Sequence, residues 1–187
     1  MPAPHDLSLL TRACAPFAQV LCSSLMDAGY ASQIQRCENQ LKDFFTEVLP
    51  GVFGDFSHRL TPDKWSVQEN LAHLARYHEI FLERIDRILN EDHPVFSRYR
   101  AEEDTEWEIW RQRHYSDLLE RLPALREQLV VKLKSLSDED FQRVGVHPKF
   151  GELELSQWLE FFLVHEGHHL YLIFQQVRTL MQKQASS

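Results

Sequence analysis

The sequence predicts an all-α protein, a bundle of four or five helices packed antiparallel around one core. Six glycines and eight prolines in 187 residues are too few for a loop-rich or all-β chain. Long Leu/Glu/Arg-rich runs favour helices. Apolar side chains recur at three- and four-residue spacing along most of the chain. A hydrophobic share of 43% and a charged share of 26% suffice for a sizeable core in one domain.

The elements follow in order. Residues 7–26 carry Leu10, Cys14, Phe17, Leu21 and Leu25 at helical spacing, with Gly29 as the stop. A second helix is expected from Ser32 to Val48, with Ile34, Leu41, Phe45 and Val48 on one side and Pro50-Gly51 at its end. Residues 51–65 read as a loop. Ser66-Val67-Gln68-Glu69 is a capping box, in which serine oxygen and glutamate carboxylate satisfy each other's backbone amides. It opens a helix to about Leu89, with the stripe Val67, Leu71, Leu74, His78, Phe81, Ile85 and Ile88 and an exit at Pro94. A long helix is expected from Glu102 to Leu136, on a stripe that includes Trp107, Trp110, His114, Leu118 and Leu122. Pro123 should kink or split it. Ser137–Asp140 reads as a short capped turn, and residues 142–154 as a loop with a little extended structure. The last helix, Ser156 to Met181, is apolar nearly all round from Trp158 to Val164 and should sit centrally. Residues 1–30 form an N-terminal helical extension, and residues 31–187 the bundle domain.

Charge and composition exclude several functions. A net charge of −8 repels phosphate backbones, and basic residues are interleaved with acids, so nucleic acid is not an expected partner. Three cysteines, Cys14, Cys22 and Cys37, without a CxxC argue against a disulfide framework or a thiolate zinc site. No apolar run reaches the ~18 residues of a membrane span. Residues 13–26 lack the basic flank of a secretion signal, so the expected compartment is the cytoplasm.

The chemistry lies in His165-Glu166-Gly167-His168-His169. His165 and His169, at i and i+4, stand on one helix face and can aim two imidazoles at one ion. Trp158, Phe162, His165, His169, Leu172 and Gln176 form a 4-3-4-3-4 stripe facing the core. Buried imidazoles need partners, which a metal supplies. The bland reading, two ordinary helix histidines, is open on spacing alone. The string also matches the HExxH zinc-protease motif, in which Glu166 is the general base. That scheme places its third ligand downstream, and no His, Asp, Glu or Cys follows His169. A third ligand must come from upstream, where periodicity slightly favours His78 or His114 and leaves His73 at the edge of its stripe.

The stretch Trp65-Ser66-Val67-Gln68-Glu69-Asn70-Leu71-Ala72-His73-Leu74-Ala75, followed some ninety residues later by the HxxxH pair, resembles the DinB/YfiT-like metalloenzyme superfamily. The shared pattern is a tryptophan, a helix N-cap, a His-Leu pair two turns into the helix, and an HxxxH pair near the C-terminus. Gly151 before the last helix also fits. The resemblance covers about residues 31–180 and leaves residues 1–30 unexplained. It implies an antiparallel four-helix bundle, with His73, His165 and His169 as ligands of one metal at the end of a groove, and a homodimer.

Three neutral imidazoles leave a divalent ion with open positions, suited to activating water or a thiol. Zinc or nickel fits best; iron, manganese and copper are also compatible. The resemblance further implies a small-molecule substrate, acted on either by a low-molecular-weight thiol (bacillithiol, mycothiol or glutathione) in transferase-like chemistry or by water in hydrolysis. The alternatives are a non-catalytic bundle with a structural metal and, more remotely, a protease. Glu166 and Tyr77 are the catalytic candidates. Arg76 and Arg113 are candidates for an anionic group, with surface salt bridging as the default. Trp65, Trp107 and Trp110 are candidates for lining a groove, with core packing as the default.

Overall fold

The computed structural model describes residues 15–49 and 55–185, with side chains described from Tyr30 onward. Residues 7–14 of the expected first helix, and its remaining stripe side chains, lie outside them. The helices are α1 (Ala15–Glu47), α2 (Val67–Asn90), α3 (Trp107–Arg111), α4 (Tyr115–Lys134), α5 (Asp138–Phe141) and α6 (Leu155–Ala185). A 3-10 turn spans Ala101–Glu103, and a hairpin pairs β1 (Val144–His147) with β2 (Gly151–Glu154).

The expected all-α four-helix bundle is present, built from α1, α2, α4 and α6. Its helix directions follow from side-chain pairings. Gln33 bonds to Ser156 and Glu160, and Gln40 to Leu163 and Glu166, so α1 and α6 run the same way. Asn70 meets His169, His73 meets His165 and Phe81 stacks on Phe162, so α2 opposes α6. The Phe56 carbonyl accepts from the Gln68 amide while its ring meets Tyr115, so α2 and α4 start at the same end. An Asp86–Lys132 ion pair joins them further along. The order of directions is therefore up, down, down, up.

Two expected elements differ. The stop at Gly29 does not occur, and α1 is continuous through it. One glycine in a helix interior costs about 1 kcal/mol, which a helix packed along its later turns outweighs. The expected helix from Glu102 to Leu136 is instead three pieces, and it breaks at residues 104–106 and 112–114, not at Pro123. Burying both Trp107 and Trp110 lays α3 against α2, and His114 then takes an extended backbone and caps α4 by accepting from the Ser116 amide. Pro123 is exposed within α4, where water can satisfy the carbonyl left without a donor. The start of α2 agrees with the expectation, including both bonds of the capping box.

The apolar stretch Trp158–Val164 is only partly buried, since Phe161 is half-buried and Val164 exposed, and further along α6 Tyr171 and Phe174 are exposed as well. The buried stripe of α6 runs Leu155, Trp158/Leu159, Phe162/Leu163, Glu166, His169/Leu170, Ile173 and Val177. A glutamate thus holds the core position, with His165 at the edge. Glu166 is 0% exposed and ion-paired with Arg126, and it accepts from Gln40. Arg126 also donates to the Cys37 carbonyl at 2.6 Å, tying α1, α4 and α6 together.

The hairpin is pinned to the exit of α2. The Phe96 amide donates to the Val146 carbonyl and the Val146 amide to the Pro94 carbonyl, and Arg143 donates to the Ile88 and Glu91 carbonyls. A Cβ on Gly145 would come within 2.8 Å of Phe96 and 2.9 Å of Ile88, so only glycine fits this approach. Gly151 has φ +75°, which opens β2 in the left-handed region.

Candidate metal centre

His73 lies two turns into α2, and His165 and His169 one turn apart on α6. The opposed packing of the two helices brings the three together. Their ligating atoms lie within 4.8 Å of one another, and Nε2 of His73 is 3.1 Å from Nε2 of His165. Among the described residues this is the one group of three potential metal ligands.

Neighbouring residues set the rings. Asn70, one turn before His73, donates through Nδ2 to the Ser66 carbonyl at 2.8 Å and to the Trp65 carbonyl at 3.4 Å. This fixes Oδ1 as the acceptor for Nδ1–H of His169, at 2.8 Å. The network therefore assigns the tautomer that leaves the His169 Nε2 lone pair free. Trp65 packs on two of the rings, 4.9 Å from His73 and 6.0 Å from His169, and Tyr77 lies 4.2 Å from His165.

Burial, reinforced by the neighbouring imidazoles, depresses the basicity of all three: His73 to about 2, His165 to about 3 and His169 to about 4. All are neutral at pH 7, the form that binds metal. Nδ1 of His73 and of His165 has no hydrogen-bond partner among the described residues. The polar contacts of those two rings therefore converge on the shared Nε2 side. Three neutral nitrogens, one held by an outer amide, fit a divalent ion.

The other sequence candidates fall elsewhere. His78 is fully buried, donates from Nδ1 to the Leu74 carbonyl and stands edge-on to Phe162. His114 is an exposed cap. The Glu166 carboxylate is enclosed by Arg126 and Gln40, with the His78 Nε2 3.7 Å away, which leaves no exposed base for the protease scheme. Arg76 is paired with Asp104 and Glu79, and Arg113 with Asp117. Trp107 and Trp110 are core residues, while Trp65 is half-buried against the histidines.

A cleft of about 760 Å³ opens beside His73 and His165. Tyr77, Tyr99, Phe161 and Phe150 supply its apolar wall, and the hairpin turn its rim. Tyr77, one turn beyond His73 on α2, lines the cleft beside His73 and His165. Its hydroxyl accepts from Arg84 at 3.3 Å, and burial raises the phenol above its ordinary range. The sequence reading missed Asn70, Arg84 and the hairpin residues. An asparagine three residues before His73 was the one readable signal.

A helical bundle with three clustered histidines, two of them lining a cleft, defines a class of candidate metal-site proteins. The family model of the DinB superfamily matches residues 33–173, and the chain belongs to that superfamily. It is 28% identical over 149 residues to "Uncharacterized protein YuaE" of Bacillus subtilis, covering 71% of this chain and 85% of that one. It is 27% identical over 108 residues to an Oceanobacillus iheyensis protein called "Putative metal-dependent hydrolase OB0782", covering 57% and 61%. The fold is similar to that of YfiT from Bacillus subtilis, described as "a probable metal-dependent hydrolase with an unusual four-helix bundle topology". The TM-score is 0.65 at 22% identity, over 83% of this chain and 87% of that one. No described helix is long and apolar enough to cross a membrane.

Proposed function

We propose that this protein is a divalent-metal-dependent enzyme acting on a small molecule, with His73, His165 and His169 holding the ion. The observation that carries this reading is the convergence of three neutral imidazoles, two of which line a cleft. A structural site would be closed by its protein ligands. Here three nitrogens meet, and two of the three rings line open space. A divalent ion bound there supplies Lewis acidity, either to activate water or a low-molecular-weight thiol or to polarise a carbonyl. The protein's own part is to keep the imidazoles neutral by burial, to hold His169 through Asn70 and to present substrate along the wall of Tyr77, Tyr99 and Phe161. The names of OB0782 and YfiT support hydrolysis, with water as the nucleophile. The cleft volume suits a small molecule rather than a polymer.

The test begins with tag-free protein and elemental analysis. About one equivalent of zinc, nickel or another divalent metal is expected, and its loss in His165→Ala. Loaded protein is then assayed on activated esters and amides in water alone, and on model electrophiles with bacillithiol, mycothiol or glutathione. Turnover without thiol supports the hydrolase, and turnover only with thiol the transferase. Less than a tenth of an equivalent of metal, together with no change in melting temperature on adding zinc or nickel, would defeat the proposal.

A further inference from the structure

Arg84 is the unusual cation of this fold. It lies on α2, seven residues beyond Tyr77, and is only 8% exposed. Other arginines on the helix have carboxylate partners: Arg76 has Asp104 and Glu79, and Arg87 has Glu91. Arg84 forms no ion pair with any described residue. Its polar contacts are two long bonds, to the Tyr77 hydroxyl at 3.3 Å and the Ser97 carbonyl at 3.2 Å. The guanidinium otherwise rests against the rings of Tyr77, Phe96 and Trp158, at 5.3–5.8 Å. A guanidinium largely withdrawn from bulk water, with donors to spare, is a ready partner for an anion.

The surroundings point the same way. Arg84 lines the metal-side cleft together with Arg98 and Lys149. Neither of these forms an ion pair with a described residue, and no aspartate or glutamate lines the cleft. The cleft thus has a cationic lining, with Arg98 and Lys149 exposed at its surface, in a chain of net charge −8; the groove on the other side of Arg84 also carries Glu83, Glu103 and Asp104. The field of the cleft reaches the rim, where burial and then the charges of Arg84 and Lys149 lower the His147 basicity.

We infer that Arg84 is the anchor of an oxyanion subsite, and that the substrate is a small molecule carrying a carboxylate or phosphate beside the group presented to the histidine centre. This rests on the proposed function for the word substrate, though not for the binding itself. The planar fork pairs with either oxyanion through two parallel N–H···O bonds. Arg98 and Lys149 add long-range attraction, and the aromatic wall takes the apolar body of the ligand.

The test titrates the full-length protein with benzoate, phenyl phosphate and neutral benzyl alcohol at low ionic strength. Binding is read by calorimetry and by the side-chain Nε–H resonance of Arg84, in both metal-stripped and zinc-loaded protein. One-to-one binding of benzoate or phenyl phosphate is expected in both forms, with benzyl alcohol at least tenfold weaker and a shifted Arg84 resonance. The tighter of the two anions identifies the oxyanion class. Arg84→Gln should weaken binding tenfold or more, and Arg84→Lys less. Should Arg84→Gln fail to fold, the wild-type resonance and Arg84→Lys decide. Equal binding of the neutral analogue, an unmoved Arg84 resonance or unweakened binding by a folded Arg84→Gln overturns the subsite. Arg84-dependent binding in stripped protein upholds it even if no metal is ever taken up. Binding that needs zinc and ignores Arg84 overturns the subsite and leaves the metal reading standing.

Discussion

At the scale of single residues, the three-histidine centre depends on groups outside its three rings. Asn70→Ala removes the acceptor that fixes the His169 tautomer, so metal affinity should fall about 10- to 100-fold with the fold retained, as competition with a chromophoric chelator would measure. Protons should compete as well. In the metal-free protein the three imidazoles titrate near 2 to 4, against an ordinary value of 6.5 once unfolded. Between those values the unfolded chain binds more protons, so stability is full above about pH 6.5 and is lost as pH falls. The slope approaches about 1.4 kcal/mol per pH unit for each histidine. Urea midpoints at pH 7 and pH 5 check this, and a midpoint independent of pH would contradict it. The i,i+4 pair was legible because helix geometry converts spacing into direction. His73 was legible only through the family pattern. Arg84 was not, since nothing local separates an unpaired arginine from Arg76 or Arg87, whose carboxylates are close on the same helix or supplied by a distant loop.

At the scale of elements, α2 carries both His73 and Asn70, so its ends matter beyond their own stability. Ser66→Ala deletes the cap and should cost about 1 kcal/mol. Gly145→Ala forces a methyl against Phe96 and Ile88 and should cost about 1–3 kcal/mol, read by chemical denaturation. The capping box was visible in four letters because its bonds are local. The break at His114 was not. The same 3.6-residue period continues from Trp107 through Leu118, and only the packing of two tryptophans against α2 interrupts it. The hairpin was faint for the opposite reason: two four-residue strands leave little pattern, and their place against α2 is held by Pro94 and Val146 across about fifty residues of sequence.

At the scale of the molecule, the buried Arg126–Glu166 pair links three of the four long helices. Arg126→Met strands a carboxylate at the core and should cost about 3–5 kcal/mol. Adding Glu166→Gln should return much of that, and denaturant titration of the two variants tests the coupling. The motif match had drawn attention to this glutamate as a base, and only the assembled bundle shows it facing a guanidinium. Helix directions were likewise out of reach of a one-dimensional pattern. Because α2 and α4 begin at the same end, the intervening residues 91–114 must travel back along the bundle. That return passage brings Ser97–Tyr99 to the cleft and Trp107 against Trp65 and His73. Frame and fitting are thus separate parts of the chain: the long helices can keep the ion's cradle unchanged while this one strap is rewritten, and a graft of residues 91–106 should alter which molecules enter before it alters whether the metal stays.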